Sequence, residues 1–508
     1  MNCRYLYVIV FVSGMVTLAV ELSAARLIEP YFGTSNLIWA TLIGLILLYL
    51  SAGYALGGRW ADRSPRADVL YRIISWAAFA IGLVPFVAHP ILSLTSIGFA
   101  DFNAALFIGS FAAAVILFSA PITLLGCVSP FAIRLAVADI SRAGNIAGRI
   151  YAISTVGSFF GTFLPVLVLI PSIGTRNTFV LLSLVLMAVG LIGLGRRAAR
   201  FAWMPLVIVG LSAFVQPAIK STADTIYQTE SAYNYIQVLQ RGDTRYLLLN
   251  EGQGRHSEYN PNRIDTSGAW DFFTLAPYFN LPPTADRLQR AAIVGLAAGT
   301  IPRQYTAAFG SVAIDGIEID PRIVQTGRDY FGMNLPNLNV LVADGRFGLK
   351  RSAYRYDVVG IDAYRLPYIP WHLTTVEFFQ QVRDHLRDDG VVAINVGHAG
   401  SDYRLVEALA ATLAQIFPSV HIADVPNTFN TIVYATAQLT SPDNLRANLD
   451  AMTHPMVRGA AERALLSLRA PSPGGMVFTD DHAPVEQLTN SIVVNYLLGL
   501  ASGEITLP

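Results

Sequence analysis

Charge is scarce in this 508-residue chain. Only 14% of its residues are charged, against 53% apolar, and its 35 basic and 35 acidic groups cancel. So apolar a composition excludes an ordinary soluble protein, and zero net charge argues against a general nucleic-acid partner. Cysteine is nearly absent: Cys3 and Cys127 both fall in the first half. The second half therefore has neither a disulfide framework nor a thiolate metal site, and no metal is expected. No cleavable leader is expected either, because the first apolar run lacks a short core with a small-residue cleavage site and further runs follow it.

What fills the first half is hydrophobic length. Apolar runs near 5–27, 36–57, 73–97, 104–128, 150–171, 177–195 and 201–219 each approach the roughly 20 residues that span a bilayer core. Residues 1–220 are expected to form an all-α polytopic membrane domain of about seven spans, with the lipid bilayer of an inner membrane as partner. Arginines cluster in alternate connections: Arg59, Arg63, Arg66 and Arg72, then Arg134, Arg142 and Arg149, then Arg196, Arg197 and Arg200. Arg176 is the exception. That bias puts the N-terminus in the cytoplasm. If 201–219 crosses, the second half emerges outside. With Pro205 and Pro217 the segment could also be re-entrant or interfacial, and both readings stay open. Glu21 lies deep in the first span, whereas Arg26 and Glu29 read as a helix-end pair reaching the headgroups. Gly157 and Gly161 have the GxxxG spacing of close helix packing. The loop GGRWADR resembles one between the second and third spans of major-facilitator transporters. Seven spans make only about half such a transporter, so an anchor or scaffold is expected.

From residue 221 charge and turn residues return. YNYIQVLQRGDTRYLLLNEG reads as a hairpin turning at Gly242-Asp243, so 221–290 is expected to be a small β-rich part. A polar, glycine-containing segment and the aromatic, helix-like run AWDFFTLAPYF follow. Over 291–440 short apolar runs alternate with amphipathic ones: AAIVG, SVAIDGIEI, LNVLV, YDVVGI, VVAINV, SVHIA and TIVYAT. That pattern predicts a mostly parallel sheet with helices on both faces. Residues 441–508 read as a helical tail.

Ligands of such sheets bind beyond the carboxyl ends of the strands, and the polar residues collect there. Small residues from Gly295 to Gly299 let backbone approach a ligand and open a helix N-terminus. Glu318 and Asp320 end the second strand, about 20 residues on, where an acid reaches ribose hydroxyls. Asp344-Gly345 follows the third strand and Asp362 the fourth. The plainer alternative is that these acids cap helices, for Asp344 above all.

GLAAGTIPRQY, GIEIDPRIVQTGRDYFGM, VLVADGRFGL and YDVVGIDAYRLPYIPWHLTTVEFF together resemble the spermidine synthase-like family, in particular its membrane-fused branch. The similarity covers roughly 228–490, and TDDHAPVE at 479–486 is similar to that branch's C-terminal motif. The resemblance implies a class I methyltransferase-like (Rossmann-like) α/β fold. It also implies a site for S-adenosylmethionine, its decarboxylated form or methylthioadenosine, with no metal. It assigns Gly295 and Gly299 to the glycine loop, Glu318 to the ribose and Asp344 to the adenine side. Members often pair, so a homodimer is implied as well.

The departures from the family concern the acceptor. Ala297 and Ala298 stand where the family loop has glycines. The second aspartate, expected three residues after Asp362, is Arg365, which stays protonated, takes no proton and repels a polyamine. Trp270-Asp271-Phe272 replaces a tyrosine-histidine-glutamate stretch, and Asn234 stands for a glutamine. Arg365 suits a carboxylate or phosphate instead. Tyr364, Tyr368 and Trp371 can wall a cation, and His372 can serve as a base or cap the next helix. Asn234, Gln253 and Asp271 are further substrate-binding candidates; Glu377 is a weaker one. The expected function is a membrane-anchored transferase of a small-molecule substrate other than the usual diamine. The alternatives are a ligand-sensing module on an anchor and, third, a transporter.

Overall fold

A computed structural model describes residues 3–33, 36–97, 103–137, 140–215, 220, 222–250, 252, 254–364 and 368–502. The chain divides into two compact units. The first comprises Met1–Ala223, Thr229–Tyr235 and Asn250–Gly252; the second comprises Asp224–Gln228, Ile236–Leu249 and Gln253–Pro508.

Among the described residues of the first unit, five helical stretches are long and apolar enough to cross a bilayer: Arg4–Phe32, Ile38–Arg63, Ala67–Ser93, Gly109–Ala136 and Ala143–Phe201. The last holds 59 residues, about 90 Å of helix against a core of about 30 Å. It contains both runs expected near 150–171 and 177–195, which part at Gly174, where φ is 79° and ψ 165°. Both flanks reach the same end of the unit. Arg149 stands over the Tyr7 ring, and the Val189 carbonyl accepts the Tyr5 hydroxyl. The chain goes out and comes back. Trp203–Phe214 then runs outward again, because Arg197 binds Asp68 at the Tyr5 end while Arg176 donates to the Ser212 carbonyl at the other. Alone this helix covers about 18 Å; the 3-10 run Gly195–Phe201 before it adds about 14 Å.

The two ends differ in charge. The Tyr5 end collects the arginines of the three basic connections, from Arg59 to Arg200. The other end has Arg26, Arg176 and Lys220. Here Arg26 pairs with Glu29 at 2.7 Å, Lys220 donates to the Pro30 carbonyl, and the Glu230 carboxylate takes the N–H and hydroxyl of Thr175. The GxxxG pair packs helices, as its spacing predicts: a methyl at Gly157 or Gly161 would run into the carbonyl oxygens of Phe11 and Met15.

The second unit holds most of the small sheet, in the order β1 (Thr225–Glu230), β2 (Tyr235–Arg241), β3 (Thr244–Leu249), β4 (Arg255–Tyr259). β2 and β3 form the hairpin around Gly242-Asp243. β4 lies inside the segment that reads as merely polar. Its charges are paired, Glu258 with Arg255 and Arg263, so an RHSEY strand shows no apolar alternation.

All seven apolar runs become strands: β5 (Arg290–Val294), β6 (Ala313–Glu318), β7 (Leu338–Val342), β8 (Tyr356–Ile361), β9 (Leu386–Gly397), β10 (Ser419–Asp424) and β11 (Asn430–Thr436). Their order is β7-β6-β5-β8-β9-β11-β10. β5 to β9 pair in parallel, and β11 is antiparallel to both neighbours. This is the class I methyltransferase-like Rossmann fold. Every residue of β8 is buried. Val358 packs with Phe272, Phe273 and Tyr434 on one face, and Val359 and Ile361 pack with Phe378 and Phe379 on the other. Covering both faces is why these strands read as continuous apolar runs. Each buried phenylalanine contributes about 1.5–3 kcal/mol.

Candidate active site

Strand order reverses between β5 and β8, and this switch point is where open α/β sheets take ligands. Two loops meet there. Gly295 leaves β5 with φ +87°, and a methyl on it would run into the Asp362 carbonyl beyond β8. Ala297 has φ +47°, the left-handed region that glycine enters freely and alanine at a cost of about 1–2 kcal/mol. Two side chains hold the loop in that shape. Ala297 N–H donates to Glu318 Oε2 and Ala298 N–H to Ser257 Oγ, both at 2.9 Å. Gly299, at φ +88°, is the N-cap of Thr300–Phe309.

Glu318 therefore faces the glycine loop. Its other oxygen accepts the Asp320 N–H at 3.1 Å. Burial pushes its pKa up to about 7 in spite of these donors. Asp320, fully buried, caps Pro321–Tyr330 through the Arg322 N–H. Asp344 caps Gly345–Lys350 through the Phe347 N–H, and its Oδ2 lies 2.9 Å from His372 Nε2. Burial would raise the Asp344 carboxyl, but the Phe347 N–H and His372 outweigh it and hold it below the usual range. Gly345 is tight for packing: a methyl there would meet Val294 and Leu373.

Asp362 is the centre of the rim. Trp270 Nε1 donates to its Oδ2 at 3.0 Å and Asn395 Nδ2 to its Oδ1 at 2.9 Å. Burial raises its pKa, and the two neutral donors only partly oppose that. Tyr364 donates to the Asn395 carbonyl at 3.1 Å, and burial with the Asp362 charge raises its phenol well above the ordinary value. A carboxyl held by neutral donors in a buried place gains most from a cation arriving beside it.

Residues 290–444 match the model of the spermine/spermidine synthase domain. Over those residues the chain carries a spermine/spermidine synthase domain. It is similar to a probable polyamine aminopropyl transferase of Bifidobacterium longum, 31% identical over 281 residues, covering 52% of this chain and 61% of that one. A polyamine aminopropyltransferase of Vibrio vulnificus is 28% identical over 251 residues, covering 48% of this chain and 81% of the relative. The structure of a probable spermidine synthase from Corynebacterium glutamicum aligns with TM-score 0.42 at 17% identity, over 51% of this chain and 97% of that one. The chain thus spans 61% of the length of the Bifidobacterium relative. These relatives are transferases.

Other expected residues have partners of their own. Asp271 is fully buried and accepts from Thr266, Ser267, Gln304 and Arg463, so it anchors the helix carrying Trp270. Glu377 accepts the Asp480 N–H. Tyr368 donates to Asn490 at 2.6 Å. Trp371 is 51% exposed. Asn234 falls in the first unit, where its Oδ1 accepts from Asn250. Arg365 and Gln253 lie outside the described residues. In TDDHAPVE, Asp480 binds Arg346 through both oxygens at 2.7 and 2.8 Å and accepts Thr375 Oγ1–H, while Arg346 also donates to the His372 carbonyl. The motif is a clamp on the loop after β8. Asn395 and Ser257 escape sequence reading as site residues, and Trp270 enters it only within the stretch that replaces tyrosine-histidine-glutamate. Only the position of Asn395 near the end of β9 could have pointed to it.

Proposed function

We propose that the second unit is the catalytic part of a membrane-anchored transferase with an S-adenosyl sulfonium donor, S-adenosylmethionine or its decarboxylated form. One observation carries the reading: Asp362 stands buried at the switch point, beside Gly295, with only neutral donors on its oxygens. A sulfonium or ammonium beside it restores the ionised form that burial disfavours. Glu318 accepts the ribose hydroxyls, and Asp344 lies on the adenine side. In the transfer step the acceptor's lone pair attacks the carbon next to sulfur. The carbon–sulfur bond breaks with its electrons going to sulfur, a neutral thioether nucleoside leaves, and the acceptor's proton passes to a base. Arg365, where the family has its second aspartate, cannot be that base and disfavours a dicationic acceptor. The acceptor is therefore neutral or anionic.

The full chain in detergent, given labelled donor and a panel of amine, carboxylate and hydroxyl acceptors, tests this. Labelled product that disappears in Asp362→Asn supports transfer. Donor binding without product from any acceptor overturns it.

A second reading has its own support. The chain leaves the helical unit at the end with few arginines, where Lys220 and Glu230 bind Pro30 and Thr175. By the positive-inside bias that end lies outside the cytoplasm, where adenosyl donors are not made. The cleft would then be a binding module for an external nucleoside. A reporter fused after Pro508 separates the two: activity in the cytoplasm favours transfer, activity outside favours binding.

A further inference from the structure

We propose that the arginine end of the helical unit is a binding surface for the phosphate groups of anionic phospholipids. The proposal rests on reading this unit as spanning a bilayer. Three connections far apart in sequence bring their arginines together there, and the described carboxylates among them are Asp62 and Asp68. Asp68 is taken by Arg66, Arg72 and Arg197 at 2.9, 2.6 and 3.1 Å, and Asp62 by Arg134 at 3.0 Å. Arg59, Arg63, Arg142, Arg196 and Arg200 are all exposed, and among the described residues none has a carboxylate partner. A guanidinium's planar fork matches phosphate with paired hydrogen bonds.

Lipid is favoured over a free anion or a nucleic acid by what stands beside these arginines. Trp60, Trp76 and Trp203 are 38%, 46% and 44% exposed. Trp76 and Trp203 meet edge to face at 6.2 Å, and Phe79 joins them at 5.0 Å from Trp203. Half-exposed indoles of this kind sit at headgroup depth, with one edge in hydrocarbon and the N–H in the wet layer. Arg59 and Arg63 end the helix Ile38–Arg63, and Arg196 to Arg200 end the stretch closing at Phe201. The cations thus lie where apolar helix gives way to polar surface, within reach of lipid phosphates.

The full chain, purified in nonionic detergent, is titrated with phosphatidylglycerol, phosphatidylcholine and inorganic phosphate. Bound lipid is counted by native mass spectrometry, and thermal unfolding is followed in parallel. Retention of phosphatidylglycerol alone, with a raised melting temperature, is expected. Replacing Arg59, Arg63, Arg142, Arg196 and Arg200 together by Gln is expected to weaken it at least about tenfold; should that variant fail to insert, Arg196→Gln with Arg200→Gln is read instead. An equal effect of phosphatidylcholine or inorganic phosphate overturns the proposal, as does a variant that keeps its preference. Carbonate-resistant retention in membranes is scored separately, so a chain that does not span the bilayer is told apart from one that spans it without headgroup preference.

Discussion

Asp362 and Glu318 are carboxyl groups that burial drives toward the neutral form, and each gives a separate test. Asp362→Asn keeps the size of the side chain and removes a charge the fold disfavours, so stability should change by less than about 1 kcal/mol. Transfer should fall about 10²–10⁴-fold if the carboxylate assists it. Thermal unfolding beside turnover checks both numbers. For Glu318 the folded pKa, about 7, lies above the ordinary 4.5. Its contribution to stability is then complete below about pH 4.5 and is lost as pH rises through 7. Denaturant unfolding across that window should show stability falling by on the order of 3 kcal/mol, and Glu318→Gln should flatten the profile. Gly295→Ala places a methyl against the Asp362 carbonyl at φ +87°. We expect about 1–3 kcal/mol of lost stability and weaker adenosyl binding, read by urea melts and calorimetry. A wild-type melt would show that the two loops do not touch.

At the scale of elements, the C-terminal motif adds a clamp to the loop after β8, beside the bonds of Tyr364, Tyr368 and His372. Asp480→Ala removes a bidentate partner of Arg346 and an acceptor for Thr375. It should cost about 1–2 kcal/mol and raise hydrogen exchange around Trp371–Leu373 while leaving β5 and β8 unchanged. Elements also differ in how legible they are in sequence. β5, β8 and β9 are covered on both faces and so appear as unbroken apolar runs. β4 does not, because its partners are ions and the backbone of the glycine loop. The partners of Asp271 are hidden in sequence for a related reason. Four residues converge on it to fix a helix, and such convergence joins segments as distant as Thr266 and Arg463. Strand ends locate Glu318 and Asp362. The neutral donors that define the state of Asp362, Trp270 and Asn395, come from different elements and have no local pattern.

For the whole molecule, the reversal at Gly174 and the outward run of Trp203–Phe214 bring Lys220 to the arginine-poor end of the helical unit. A reporter fused after Pro508 decides between the readings: transfer from cytoplasmic donors requires the cytoplasmic-type reporter to be active, and the binding module requires the periplasmic-type one. A cytoplasmic result would also mean that Trp203–Phe214 does not cross, so that cytoplasmic donors reach the cleft directly.

Beneath either orientation lies one requirement: the carboxyl rim of the second unit's sheet must hold an adenine-bearing compound. Calorimetric titration of the detergent-solubilised chain with 5′-methylthioadenosine measures this directly. Saturable binding at one site is expected, at least about tenfold weaker in Glu318→Ala, which loses an acceptor for ribose hydroxyls. No binding at millimolar nucleoside, or equal binding by that variant, would contradict it.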